Sequence, residues 1–182
     1  MITILKNLTY VLLIDFLSAQ YYYEIEQLEK YNGIYKLKNE NKPVNGIVYT
    51  YVNGKKVKMG KIIHGRKHGR WIEWHPNERR LDENYRHGLL EGTTSLFYKN
   101  GQREWRYTFN KNILDGIYTK WYRNGKRAVE GLFENGHPSG VWVWRNKLGE
   151  ITMKKVYPSR REKVFGKYKQ YFYIQPAKHA TN

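Results

Sequence analysis

An all-β fold, an elongated single-layer antiparallel sheet of stacked β-hairpins, follows from three features of the chain. A glycine followed two residues later by a bulky strand former opens most copies of a repeat, at Gly46, Gly69, Gly92, Gly116 and Gly140, in steps of 23, 23, 24 and 24 residues. A short fixed period marks a repeat array. Each copy holds two short runs rich in Val, Ile, Thr, Tyr, Phe and Trp, residues that suit strands. Between the runs stands Asn53-Gly54, Asn100-Gly101 or Asn124-Gly125. Asn-Gly between such runs predicts a type I′ hairpin turn, which needs positive φ at both central residues.

Taken in order, residues 1–19 carry Lys6 and then a largely apolar run ending Leu17-Ser18-Ala19. That pattern reads as a short signal peptide and favours a secreted or periplasmic location over the cytoplasm. The alternative is an N-terminal hydrophobic segment packed over the first repeat; a membrane span would need about 20 apolar residues. Residues 20–45 read as an N-terminal cap with a truncated repeat. Within them Tyr21 to Tyr31 mixes Glu24, Glu26 and Glu29 with Ile25 and Leu28, which predicts a short helix, and Gly33-Ile34-Tyr35 opens a partial copy interrupted at Pro43.

Residues 46–157 are the five hairpin repeats. The second copy has Asn77-Glu78 and the last has Lys147-Leu148-Gly149 at the hairpin, so these two are expected to turn differently from the others. A looser second turn is expected after each return strand, at His64-Gly65, His87-Gly88, Asn110 to Asn112 and Asn135-Gly136. Trp71 and Trp74 lie three apart, as do Tyr118 and Trp121. Either both sheet faces carry aromatics or a bulge shifts the register between them. Residues 158–182 form a basic, aromatic C-terminal cap and tail.

The pattern Gly-x-Trp-x-x-Trp/Tyr-x-x-Asn-Gly-Lys is visible in Gly116 to Lys126, with Tyr118 at its first aromatic position, and partly in Gly69 to Arg79. This resembles the bacterial variant of the MORN repeat, whose proteins are often labelled YwqK-type antitoxins. The resemblance covers residues 46–157 and rests on recurrence, since one copy is a weak motif. It implies a twisted sheet of stacked hairpins used for contacts with proteins or anionic membranes, and an antitoxin-like role.

The charge is +17, from 33 Lys and Arg against 16 Asp and Glu. Residues 1–45 are balanced; the excess lies in the repeats and after them. In the C-terminal stretch Arg160, Arg161, Lys163 and Lys167 are interleaved with Tyr168 and other rings. Basic residues alternating with aromatics suit phosphates and stacked bases, or an anionic membrane surface. The plainer reading is a solubilising surface. The tryptophans likewise read first as packing, because a thin sheet lacks a thick aliphatic core.

Catalysis finds little footing. There is no cysteine, and no nucleophile-elbow serine or glycine loop opening a helix. His64, His87 and His137 fall at second-turn positions, which suits a turn role, and no metal or cofactor is predicted. The expectation is a non-catalytic module that binds an unidentified protein partner. Its face would combine exposed aromatics with basic side chains, drawn from Arg70, Trp71, Trp74, Tyr118, Trp121, Arg123, Lys126 and Trp142. The alternative is an anionic lipid or nucleic acid held through the basic aromatic C-terminal residues. Self-association through open edge strands is a further expectation.

Overall fold

The computed structural model describes residues 21–75 and 79–159. The segment 1–19 read as a signal peptide, Asn77-Glu78, and Arg160, Arg161, Lys163, Lys167 and Tyr168 lie outside the described residues. Among those described there is no α-helix, and the fold is all-β. The chain divides into two compact units, Met1–Arg66 and Lys67–Asn182.

The first unit holds β1 (Tyr22–Glu24), a 3-10 turn (Ile25–Gln27), β2 (Leu28–Tyr31), β3 (Ile34–Leu37), β4 (Gly46–Val52) and β5 (Lys55–Ile63). The helix expected over Tyr21 to Tyr31 is therefore replaced by two strands and a single 3-10 turn. Its apolar residues are too few for an amphipathic helix, while β1 gains a parallel partner in β4, with Tyr23 opposite Val48. The Glu24 N–H donates to the Gln27 side chain at 2.9 Å, closing the turn. β2 and β3 form a hairpin of their own around Asn32-Gly33. Leu28, Val44, Ile47, Val48 and Ile62 make the core of this unit.

The second unit contains β6 (Arg66–Trp74), β7 (Arg80–Arg86), β8 (Leu89–Leu90), β9 (Gly92–Phe97) and β10 (Arg103–Asn110). It continues with β11 (Ile113–Leu114), β12 (Gly116–Trp121), β13 (Arg127–Glu134), β14 (His137–Arg145) and β15 (Ile151–Tyr157). Its main path runs β6-β7-β9-β10-β12-β13-β14-β15, antiparallel throughout and not closed into a barrel. The short β8 and β11 add to β7 and β10.

The turns reverse the expected order of tightness. Asn53-Gly54 is the predicted type I′ pair, with φ of 50° and 75°. At Asn100-Gly101 and Asn124-Gly125, however, only the glycine has positive φ. There the Gly101 N–H donates to the Tyr98 carbonyl and the Tyr98 N–H to the Gln102 carbonyl. This is a three-residue loop ending in a left-handed glycine. Asn146 to Glu150 makes the same pair of bonds, so the last hairpin does not differ from these two. A turn of this kind requires only its final glycine, and Gly149 supplies it with φ of 94°.

The second turns are instead the tight ones. His87-Gly88, Lys111-Asn112 and Asn135-Gly136 each have positive φ at both residues. Each is held to the preceding copy: the Gly88, Asn112 and Gly136 N–H groups donate to the Lys67, Leu90 and Leu114 carbonyls. His137 stands just after its turn, at the start of β14, so it does not share the turn position of His64 and His87.

These details account for the drift of the period from 23 to 24. Each repeat glycine faces a large residue on its return strand: Gly46 opposite Ile62, Gly69 opposite Tyr85, Gly92 opposite Phe109, Gly116 opposite Phe133 and Gly140 opposite Tyr157. The first copy combines a two-residue turn with one extra residue, Met59, in its return strand. The second pairs without any bulge, from Gly69 opposite Tyr85 to Trp74 opposite Arg80, and closes a longer loop through the His75 N–H and Arg79 carbonyl. The third and fourth have both the longer loop and an extra residue, Glu104 or Ala128. One added residue therefore separates the later period from the earlier one.

Candidate functional site

Side chains alternate across a strand, so the pairing decides which residues share a face. On one face of the second unit lie Trp71, Trp105, Tyr107, Phe109, Tyr118, Phe133, Trp142, Trp144 and Tyr157, as the strand pairings require. Tyr107 stacks on Tyr118 with ring centres 4.5 Å apart, and Trp142 meets Phe133 edge-on at 5.1 Å and Tyr118 at 5.5 Å. Trp142 lies across Gly131, where a β-carbon would run into the indole. At the start of the unit the buried Lys67 places its Nζ 4.6 Å from the Trp71 ring centre and 2.6 Å from Glu73. Trp71 itself is fully buried.

The residue two after each repeat glycine in this unit is the central one: Trp71, Thr94, Tyr118 and Trp142. The third copy thus has threonine where its neighbours have a ring. A concavity of about 530 Å³ opens at this place, lined by Leu81, Leu90, Leu96, Trp105, Tyr107 and Phe109 together with Glu83 and Thr94, and bordered by His75 and Arg79. Thr94 is only 4% exposed, and its Oγ1 has no hydrogen-bond partner among the described residues. Sequence reasoning missed this groove. The signal was present in the repeat alignment, where Thr94 stands between copies that carry Trp71 and Tyr118 at the same place, although Val48 of the first copy also lacks a ring there.

Glu83 is the acidic group of the groove. Burial pushes its carboxyl above the usual carboxylate range, opposed by the Tyr85 hydroxyl, which donates to it at 2.8 Å, and by Lys67 at 3.9 Å. A carboxyl whose folded pKa lies above its unfolded one adds stability below the unfolded pKa and loses it as pH rises through the folded one. Glu83→Gln is therefore expected to gain melting temperature relative to the native chain between acid and neutral pH. Melts at pH values on both sides of the carboxylate range measure this; a constant difference would show that the site does not raise the pKa.

The opposite face is charged. Arg70 pairs with Asp82 at 2.6 Å, and Arg80 reaches the same carboxylate at 2.8 Å. Arg80 also covers Phe97 with its guanidinium at 4.1 Å from the ring centre, and Arg103 stands between Phe97 and Trp121. Farther along, Glu130 takes Arg127 at 2.7 Å and Arg145 at 2.5 Å. Arg123 lies over Tyr98 at 5.5 Å, and Lys126 donates to the Leu148 carbonyl at 2.6 Å, tying one hairpin loop to the next.

The residues expected to share one exposed binding face are thus divided. Trp71, Tyr118 and Trp142 stand on the aromatic face, Arg70, Trp74 and Trp121 on the charged one, and Arg123 and Lys126 at the loops. Trp71 and Trp74 take opposite faces with no bulge between them, because three steps along a strand reverse the side. Tyr118 and Trp121 do the same along β12; the bulge opposite them falls in β13. Trp142 was expected to be exposed and is 6% exposed, enclosed by Tyr118, Phe133, Trp144 and Tyr157.

Among the described residues no group of three His, Asp or Glu side chains is placed to hold a metal ion. Fold and face together define an all-β hairpin-repeat protein with an aromatic side and an ion-paired side. Compared with models of protein families and with curated proteins, the chain matches none.

Proposed function

We propose that this chain is a non-catalytic interaction module that holds a protein partner on the aromatic face of its second unit, in the manner the resemblance to MORN-variant antitoxin-type proteins implies. The observation that supports this is the groove around Thr94. It is an apolar concavity with a few convergent polar groups, within the range of about 300–1,000 Å³ usual for binding pockets. Its aromatic walls are of the type that dominates interface energetics. The charged face supports the reading less, since Arg70 and Arg80 already share Asp82 and Arg127 and Arg145 share Glu130.

The test is capture from native lysate by the tagged full chain, washed at low and moderate salt, beside a variant carrying Leu90→Asp at the groove wall. A stoichiometric protein that survives moderate salt with the native chain and is lost with the variant is the expected result. Capture indifferent to Leu90→Asp would place the interaction elsewhere and overturn this reading.

A second reading, a polyanion binder, is favoured by one further observation. A concavity of about 700 Å³ at the hairpin loops is lined by Arg79, Tyr98, Lys99, Asn100, Glu104 and Arg123, three cations against one carboxylate. Binding of nucleic acid or anionic lipid there would fall steeply with salt, because it rests on counterion release. The same two washes separate the readings.

A further inference from the structure

We infer that the groove at Thr94 is a receptor for one aromatic side chain of the partner, a tryptophan or tyrosine, held by its ring and by the N–H or O–H on its edge. This rests on the interaction reading above and specifies what the partner must present.

Three observations carry it. The first is a gap in a regular ladder. Trp71 before it and Tyr118 and Trp142 after it fill the central column of the face, and Thr94 leaves that column short by a ring. The surrounding strands do not close over the space, which remains about 530 Å³. The second is the nature of the walls. Trp105 and Tyr107 meet at 5.0 Å with their rings inclined by 65°, and Tyr107 and Phe109 at 6.3 Å. An entering ring would meet edges and faces at the separations that aromatic pairs favour, and an aliphatic chain would not use them.

The third is polarity. The Glu83 carboxyl lines the groove and accepts from Tyr85. It offers an acceptor to a donor that enters with the ring, whereas the Thr94 Oγ1 is sealed beneath the groove floor. Among the larger rings, indole N–H and phenol O–H couple an aromatic face to such a donor. Phenylalanine has the ring without the donor, and leucine has neither.

The experiment is a titration of the full chain, followed by methyl NMR of Thr94, Leu81 and Leu96. The probes are the N-acetyl amides of tryptophan, tyrosine, phenylalanine and leucine. Tryptophan and tyrosine amides are expected to shift these methyls with affinity about tenfold above that of phenylalanine amide, roughly the worth of one hydrogen bond to a carboxylate. Leucine amide is expected to bind more weakly still.

Thr94→Trp, which restores the ring of the column, should abolish the shifts of Leu81 and Leu96. If that variant does not fold, Glu83→Leu removes the acceptor and keeps an apolar wall; it should erase the preference for tryptophan and tyrosine over phenylalanine. Equal affinity for leucine and tryptophan amides, or no shift at the groove for any probe, overturns the inference. Its failure is separable from that of the function. Lysate capture lost with Leu90→Asp but unaffected by Thr94→Trp would leave the interaction module standing and refute the aromatic receptor.

Discussion

Replacing Trp71 by alanine is expected to cost about 3–5 kcal/mol of stability, the range for removing a buried aromatic side chain. Trp71 has no exposed surface and supplies the face over which the Lys67 ammonium lies at 4.6 Å. Lys67 is itself buried, with Glu73 at 2.6 Å and Glu83 at 3.9 Å. Removing the indole leaves a cavity and also takes away one wall of a buried charge cluster. Trp74 provides the control, because it is on the opposite face and 39% exposed. Trp74→Ala should cost under about half as much, in line with the smaller area it removes from water. Urea unfolding followed by circular dichroism measures both. Equal losses would show that the two tryptophans contribute alike, against the alternation of β6.

The second large effect is expected at Gly131. A β-carbon there would overlap the Trp142 ring at three of its atoms. Gly131 is not among the positive-φ positions, so alanine meets no backbone strain and the cost is steric. Overpacking of this kind costs typically about 1–3 kcal/mol, and more where the neighbour cannot move. Trp142 is held between Tyr118, Phe133, Trp144 and Tyr157, and its indole N–H donates to the Leu132 carbonyl at 3.2 Å, so it has little room. Gly131→Ala is accordingly placed at the upper end of that range. Combining it with Trp142→Phe should cost clearly less than the sum of the two single changes, since the smaller ring relieves the clash. Strict additivity would show that the glycine and the tryptophan do not oppose one another.

Gly140 shows why such glycines are not equivalent. A β-carbon at Gly140 meets nothing within 4 Å, yet its φ of 64° is left-handed. There the requirement is conformational. At Gly131 it is the approach of a ring. Both read simply as glycine in the sequence.

The repeat, its five openings and the strand-rich runs were legible because they depend on local pattern. Asn53-Gly54 was legible for the same reason, since a type I′ turn is specified by its two central residues. Asn100-Gly101 and Asn124-Gly125 were not read correctly. The same dipeptide closes a three-residue loop when the strands pair one residue farther out, and that depends on the partner strand. The 3-10 turn at Ile25–Gln27 escaped because β1 is held by a parallel partner more than twenty residues away in the chain.

The candidate site followed the same division. Aromatic content pointed to the rings, but the odd spacing of Trp71 from Trp74 and of Tyr118 from Trp121 separates them by face. The groove was visible only as a threonine between Trp71 and Tyr118 in a column that also holds Val48, and its significance required the walls supplied by β7, β8, β9 and β10.

What the sequence by itself determined is the unit: a glycine-opened hairpin of 23 or 24 residues, its strand formers and its turn residues. These properties are set by each residue's own conformational preferences and by those of its near neighbours. Only the tertiary structure decided which face each ring occupies, where the return strands bulge, and that the missing ring at Thr94 leaves an open groove. Those outcomes depend on register between strands and on packing across them, where a shift of one residue carries every following side chain to the other face.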